Sequence, residues 1–212
     1  MTFQRRSGAP RLIGWTGERC VPWAPDSQVV YEHLHRYLWA ARLVDDRHVL
    51  DLASGEGFGA AILAQSAASV VGVDIDERTV EHAGLNYGGP ELGFEIADAR
   101  DLSRFAEHSF GAVVAFEMIE HIAEQERVLD EIRRVLEPDG VLVISTPDRA
   151  AYGAASSEAN RFHVRELARE EFAALLQTRF ANTATWGQRT ITGSALAALD
   201  HPTVGDAPPW RS

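Results

Sequence analysis

From His48 to Ser145 short apolar runs alternate with stretches in which apolar residues recur every three or four positions. HVLDLA, SVVGVDI, LGFEIAD, GAVVAFEM and GVLVISTP read as strands, since brief apolar and β-branched runs between polar or glycine positions suit a sheet buried on both faces. GAAILAQSA, ERTVEHAGLNY and AEQERVLDEIRRVL read as the intervening helices, the last ended by the Pro and Gly of EPDG at 137–140. This alternation predicts an α/β fold: a mostly parallel, doubly wound sheet of Rossmann-like form with right-handed crossovers. Upstream, Val30, Leu34, Tyr37, Leu38 and Ala41 keep helical spacing between Ser27 and Leu43, with Asp26 or Ser27 as cap. Residues 1–26, rich in Gly, Pro and Arg, read as an irregular arm. Past Pro147 come a polar loop, DRAAYGAASSEANRF, a helix near VRELAREEFAALLQ and a strand within ANTATWGQRT. A loop that long in a compact domain is expected to be a lid or substrate wall. The C-terminal end is expected to be shortened, and 201–212 reads as a loose tail.

At 212 residues the chain suits one domain of this kind, covering 45–200 and preceded by the arm and helix at 1–44. No run of 18 apolar residues occurs, and MTFQRRSGAP lacks the apolar stretch of a secretory signal, so a soluble, cytoplasmic chain with no membrane contact is expected. The lone Cys20 cannot form an internal disulfide and reads as structural. A net charge of -11 with no basic cluster argues against nucleic acid as a partner. All 20 basic residues are Arg, which excludes Schiff-base chemistry, a phosphate-loop lysine and a Tyr-x-x-x-Lys pair.

DLASGEGFGA, at 51–60, joins the first strand to a helix. Gly55, Gly57 and Gly59 permit a tight backbone with positive φ, and the helix N-terminus beyond attracts negative charge. Read as G-x-G-x-x-A, with Asp74 about 20 residues on, the turn suits a dinucleotide and a nicotinamide oxidoreductase. VLDLASGEGFGA also resembles the first motif of class I S-adenosylmethionine-dependent methyltransferases, with Asp51 as its acid and Ala53 where that family usually has glycine. The resemblance runs from about residue 45 to 190 and implies S-adenosylmethionine as cofactor. It implies further that Asp51, Ala53, Gly55 and Gly57 line the cofactor, that Asp74 beside Ile75 takes the ribose hydroxyls, and that Asp98 beside Ala99 faces the adenine amino group. A carboxylate has the acceptors that two vicinal hydroxyls require.

FEMIEHI, at 116–122, follows the fourth strand, which in that layout ends beside the sulfonium. Taken singly, Glu117 is a cofactor contact, Glu120 a first-turn acid and His121 a packed imidazole. Taken together, two carboxylates and an imidazole converging on a concave site call for a cation. EMIEH resembles the E-x-x-E-H segment of magnesium-dependent O-methyltransferases of the ubiquinone pathway and of plant small-RNA terminal 2′-O-methyltransferases. Those families add a histidine after the fifth strand, and His163 in NRFHVREL stands at the matching place. The resemblance thus implies Glu117, Glu120, His121 and His163 as ligands of Mg²⁺ or Mn²⁺, with Glu120 and His121 also catalytic. Without a metal, His121 is the natural general base.

TGERCVP, YEHLHRY and NRFHVREL are similar to segments of bacterial proteins that methylate sugars and polysaccharides. His33 and Arg36 share a helix face, Glu18 and Arg19 lie in the arm, and Trp15, Trp23, Trp39 and Tyr152 could face a pyranose, although Trp39, within the helix, reads rather as core. The expected activity is O-methylation of a sugar or oligosaccharide hydroxyl. A quinol- or catechol-like hydroxyl is the alternative, and an aromatic content of 8% counts against a long quinone tail. A catalytically idle partner of a larger enzyme and a homodimer both stay open.

Overall fold

The computed structural model describes residues 27–151, 160, 162–190 and 194–198. The arm at 1–26 with Trp15, Glu18, Arg19, Cys20 and Trp23, the loop positions around Tyr152, and the tail at 201–212 lie outside the described residues.

Five parallel strands form one sheet: β1 (His48–Leu52), β2 (Ser69–Asp74), β3 (Leu92–Ile96), β4 (Phe110–Phe116) and β5 (Leu136–Ser145). Their order is β3-β2-β1-β4-β5. The order reverses between β1 and β4, and at such a switch point the carboxyl ends of the strands open a crevice. Every residue of β4 is buried, as an unbroken apolar run between two helical layers requires. Period-two alternation divides the core. Leu50, Leu52, Val113 and Ala115 face Ile119, Val128, Leu129 and Ile132 on one side. Val49, Ala112 and Val114 join Tyr37, Ala40, Ala60 and Leu63 on the other.

Three helices make the crossovers: α2 (Phe58–Leu63), α3 (Glu77–Tyr87) and α4 (Gln125–Val135). α1 (Ser27–Ala40) packs beside α2, where Tyr37 meets Phe58 and Phe116 edge-on at centroid distances of 5.6 and 5.0 Å. Its buried line is Tyr37, Ala40 and, just beyond, Val44, whereas Leu38 is 52% exposed. Leu38 is therefore off the stripe predicted for it, because residue 38 sits about 100° round the helix from Tyr37.

EPDG does not end a helix. α4 stops at Val135 and β5 starts at Leu136, which pairs with Phe110. The next pair is Ala112 with Val141, so EPDG loops out as a bulge inside the strand. α5 (Arg169–Gln177) leads to an antiparallel ribbon of β6 (Trp186–Thr190) and β7 (Ser194–Ala198), separate from the parallel sheet. SALAA carries no strand signal, and pairing with β6 is what makes it one. The ribbon docks on α1: Arg36 donates to Gln188 Oε1 at 2.7 Å, Thr190 donates to Glu32 Oε1 at 2.7 Å, and Trp39 lies 5.2 Å from Trp186.

Gly59 lies within α2 and serves close approach; a Cβ there would fall 2.0 Å from Tyr37 Cζ. Gly59→Ala is expected to lower stability by about 1–3 kcal/mol in urea unfolding, since overpacking outweighs the roughly 1 kcal/mol of helix propensity that alanine adds. A neutral or stabilising result would mean that α1 does not seat against α2 as described.

Candidate active site

The crevice at the switch point begins with Asp51, fully buried at the end of β1. The Tyr37 hydroxyl lies 3.1 and 3.3 Å from its two oxygens. Burial pushes the Asp51 carboxyl up to about 8; the Tyr37 hydrogen bond opposes this and the nearby Asp74 adds to it. The chain then turns through three left-handed residues, Ala53 at φ 55, Gly55 at φ 56 and Gly57 at φ 98. Gly57 also admits no side chain, because a Cβ would come within 2.8 Å of Ala83 Cβ. Alanine at position 53 bears a left-handed strain of about 1 kcal/mol that glycine would not.

The Gly55 N–H donates to Asp74 Oδ2 at 3.1 Å, and the Asp76 N–H donates to Asp74 Oδ1 at 3.0 Å. The loop and the acid at the end of β2 are thereby joined, with Ile75 next to it 68% exposed. Sequence reasoning missed Glu56. Its buried carboxylate accepts from Tyr87 at 3.1 Å and lies 3.2 Å from His82, tying the glycine turn to α3. Burial raises the Glu56 pKa. Past β3, Asp98 is gripped by Arg100, whose Nη2 and Nε lie 2.7 and 3.0 Å from its oxygens and hold the carboxyl below its ordinary range. Ala99 is half-buried between them.

At the end of β4 the backbone enters the left-handed region at Glu117, φ 50. A non-glycine residue there stores about 1–2 kcal/mol, a cost met mostly at functional turns. The Glu117 N–H donates to the Ser145 carbonyl at 3.2 Å, and its carboxylate accepts from Ser145 Oγ at 2.6 Å. Arg36 Nη2, from α1, lies 3.8 Å away. Beside Arg36, His33 is pulled down to about 4, first by burial and then by the guanidinium, and is neutral.

A short 3₁₀ turn, Ile119–His121, follows. Glu120 is fully buried; its Oε2 accepts from Thr146 Oγ1 at 3.0 Å, and its Oε1 has no hydrogen-bond partner. Burial, and then the charge of Glu117, push it up to about 8. His121 Nδ1 lies 3.0 Å from the Phe162 carbonyl, which fixes the proton on that nitrogen and turns Nε2 toward Glu120 Oε1, 4.0 Å away. The His163 ring stands 5.0 Å from that of His121. One ligand atom from each of Glu120, His121 and His163 lies within 4.8 Å of the others. The structure thus brings together three of the four expected metal ligands, while Glu117 turns to Ser145 and Arg36.

Residues 40 positions apart meet here because backbone and side chain lock the two segments. The Val164 and Arg165 N–H groups donate to the Glu120 carbonyl at 2.8 and 3.0 Å. The buried Gln125 amide donates to the carbonyls of Ile119 at 3.0 Å and Arg165 at 2.8 Å. Sequence reasoning also missed Gln125, which reads as an ordinary polar residue opening a helix.

Residues 50–144 match the methyltransferase domain family. Over 200 residues the chain is 35% identical to a Mycolicibacterium smegmatis protein described as "Probable S-adenosylmethionine-dependent methyltransferase", covering 90% of this chain and 74% of that one. The chain belongs to the S-adenosylmethionine-dependent methyltransferases. This methyltransferase is also 32% identical, over 47% of its length and 44% of the relative's, to a ubiquinone biosynthesis O-methyltransferase of Neisseria meningitidis. Its fold is that of the YcgJ protein of Bacillus subtilis, with a TM-score of 0.62 at 21% identity over 74% of this chain and 71% of that one. The nicotinamide reading of the glycine turn is set aside. Among the described residues no helix is long and apolar enough to cross a membrane.

The raised pKa of Asp51 makes the methyltransferase pH-sensitive. In the folded chain Asp51 holds its proton up to about 8, whereas unfolded it releases it near the ordinary value of about 4. Its stabilising contribution is therefore complete at low pH and is lost as pH climbs through that interval, at up to about 1.4 kcal/mol per pH unit. Asp51→Asn keeps an acceptor for Tyr37 and carries no such dependence. Urea unfolding of the ligand-free protein should show the Asn variant gaining on the native chain between about pH 5 and pH 8. A stability gap unchanged with pH would count against a protonated Asp51.

Proposed function

We propose that this methyltransferase moves the methyl group of S-adenosylmethionine to a hydroxyl oxygen of a sugar or oligosaccharide, with Glu120, His121 and His163 holding a divalent cation. The observation that carries the metal half is the unsatisfied Oε1 of the fully buried Glu120, facing an imidazole and next to a second carboxylate. A buried carboxylate in that position takes up either a proton or a cation. The residues fit the second: each imidazole is bound through Nδ1 to an oxygen, which leaves Nε2 as the donor. Two imidazoles and a carboxylate suit Mn²⁺ or Co²⁺ at least as well as the oxygen-seeking Mg²⁺. When bound, such a cation makes an acceptor hydroxyl more acidic and aims its oxygen.

The chain's own groups do the rest. Asp74 gives one lone pair per oxygen to Gly55 and Asp76 and has others for a ribose diol. Ile75, largely exposed, covers one face of the nucleoside, and Asp98 accepts from the adenine amino group beside its pairing with Arg100. Glu117, Arg36 and His33 line the approach from α1 and offer hydrogen bonds to a polar acceptor. His121, its proton held by the Phe162 carbonyl, keeps one lone pair on Nε2, which receives the hydroxyl proton only when it is not holding a cation.

A quinol- or catechol-like acceptor is the second reading. It is favoured by Phe162 and Val164, which flank His163 and are 39% and 63% exposed, and by the partial similarity to the ubiquinone O-methyltransferase.

Methyl transfer assays on mono- and oligosaccharides and on catechols, with chelator and with Mn²⁺ or Mg²⁺ restored, test both halves. Transfer to sugars that stops on chelation is expected. Undiminished turnover in chelator removes the metal, and transfer to catechols alone selects the second acceptor. In parallel, Asp74→Ala should weaken S-adenosylmethionine binding in calorimetry, whereas His163→Ala should leave binding intact and abolish transfer. Equal loss of cofactor affinity in both variants would misplace the His–Glu centre.

A further inference from the structure

Glu166 has no part in the chemistry described so far. Its Oε1 lies 2.5 Å from His163 Nδ1, and the two side chains are 20% and 7% exposed, a pair largely shielded from solvent. An ionised carboxylate can only accept, so this contact keeps the imidazole proton on Nδ1. Asn160 selects the same tautomer from the other side of the ring: its amide Nδ2 lies 3.0 Å from Nε2, and an amide nitrogen donates. Two independent neighbours thus agree that Nε2 carries the lone pair. The backbone that carries this carboxylate is itself held in place. Arg149 donates to the Glu166 carbonyl at 3.1 Å and its N–H to the Leu167 carbonyl at 3.1 Å, while Asp148 and Leu167 form a parallel bridge. These contacts anchor the strand of chain carrying His163 to the residues that follow β5.

We propose that Glu166 is the positioning residue of the Glu120–His121–His163 centre: it makes Nε2 of His163 the ligand atom and fixes the plane in which that atom is presented. The proposal rests on the reading of that centre as a cation site. His121 is oriented in the same way by a neutral carbonyl, that of Phe162. The two imidazoles therefore differ: one leans on a dipole, the other on a full negative charge that makes it the stronger donor. The Asn160 amide stands against Nε2 and must give way when a cation takes that nitrogen. A carboxylate behind a ligating histidine typically accounts for about 10–100-fold in metal affinity.

The test uses the full-length protein without acceptor. Mn²⁺ is titrated by calorimetry into the native chain, Glu166→Gln and Glu166→Ala, with S-adenosylmethionine affinity measured on each as a check on folding. The His163 tautomer is read from ¹⁵N side-chain NMR and assigned by the signal lost in His163→Asn. Expected are Mn²⁺ binding by the native chain, a loss of about 10–100-fold in both variants with S-adenosylmethionine affinity preserved, and a native imidazole protonated at Nδ1. Variants that bind Mn²⁺ as tightly as the native chain, or a native imidazole protonated at Nε2, overturn the role of Glu166 and leave the cation site standing. A native chain that binds no Mn²⁺ overturns the cation site itself, and Glu166 with it.

Discussion

The parallel pairing of β1 with β4 at the middle of the sheet governs where chemistry can occur in this protein. Both strands are sealed above and below by helices, so polar side chains can emerge only where the strands stop. Asp51 sits at one such end, and Glu117 just past the other. The residues that follow each end, the glycine turn and the 3₁₀ turn, are forced into left-handed or tightly wound backbone because the chain must reverse at once toward a helix. One geometric fact, the reversal of strand order between β1 and β4, thus accounts for the glycines, the strained Ala53 and Glu117, and the closeness of the two candidate ligand regions.

The crevice collects three buried acids in a chain already carrying a net charge of -11. Each is handled differently. Asp51 leans on a neutral hydroxyl, Glu56 on a histidine and a tyrosine, and Glu120 on a single threonine hydroxyl that leaves one oxygen bare. Glu56 is the most fully compensated of the three and Glu120 the least. A site intended only for packing would not leave a fully buried carboxylate with one oxygen bare.

Much of this was legible along the chain for physical reasons. Strands covered on both faces need unbroken apolar runs, so GAVVAFEM declares β4. Asp74 stands out because an acid terminates an otherwise apolar strand, and His163 because a resemblance supplied its partner segment. The misses share one cause: tertiary packing decides them. GEGFG reads the same whether its glutamate points outward or under α3, and Gln125 looks like any first-turn residue until a distant segment crosses over it. Glu166 hides in a charge-rich stretch, NRFHVRELAREE, where solvated acids are the norm. EPDG looped out within β5 because Leu136 found a strand partner before the turn, which local turn chemistry cannot foresee.

The segment matched as a methyltransferase domain, residues 50–144, begins after α1 and ends before His163. Yet Tyr37, Ala40 and Val44 help to close one side of its sheet, and the 3₁₀ turn is clamped by the Val164 and Arg165 N–H groups on the Glu120 carbonyl. Excised at those borders, the fragment would present a bare hydrophobic flank and a loosened 3₁₀ turn. The recognisable domain is smaller than the packed body it belongs to, and expression designs should be drawn around the latter.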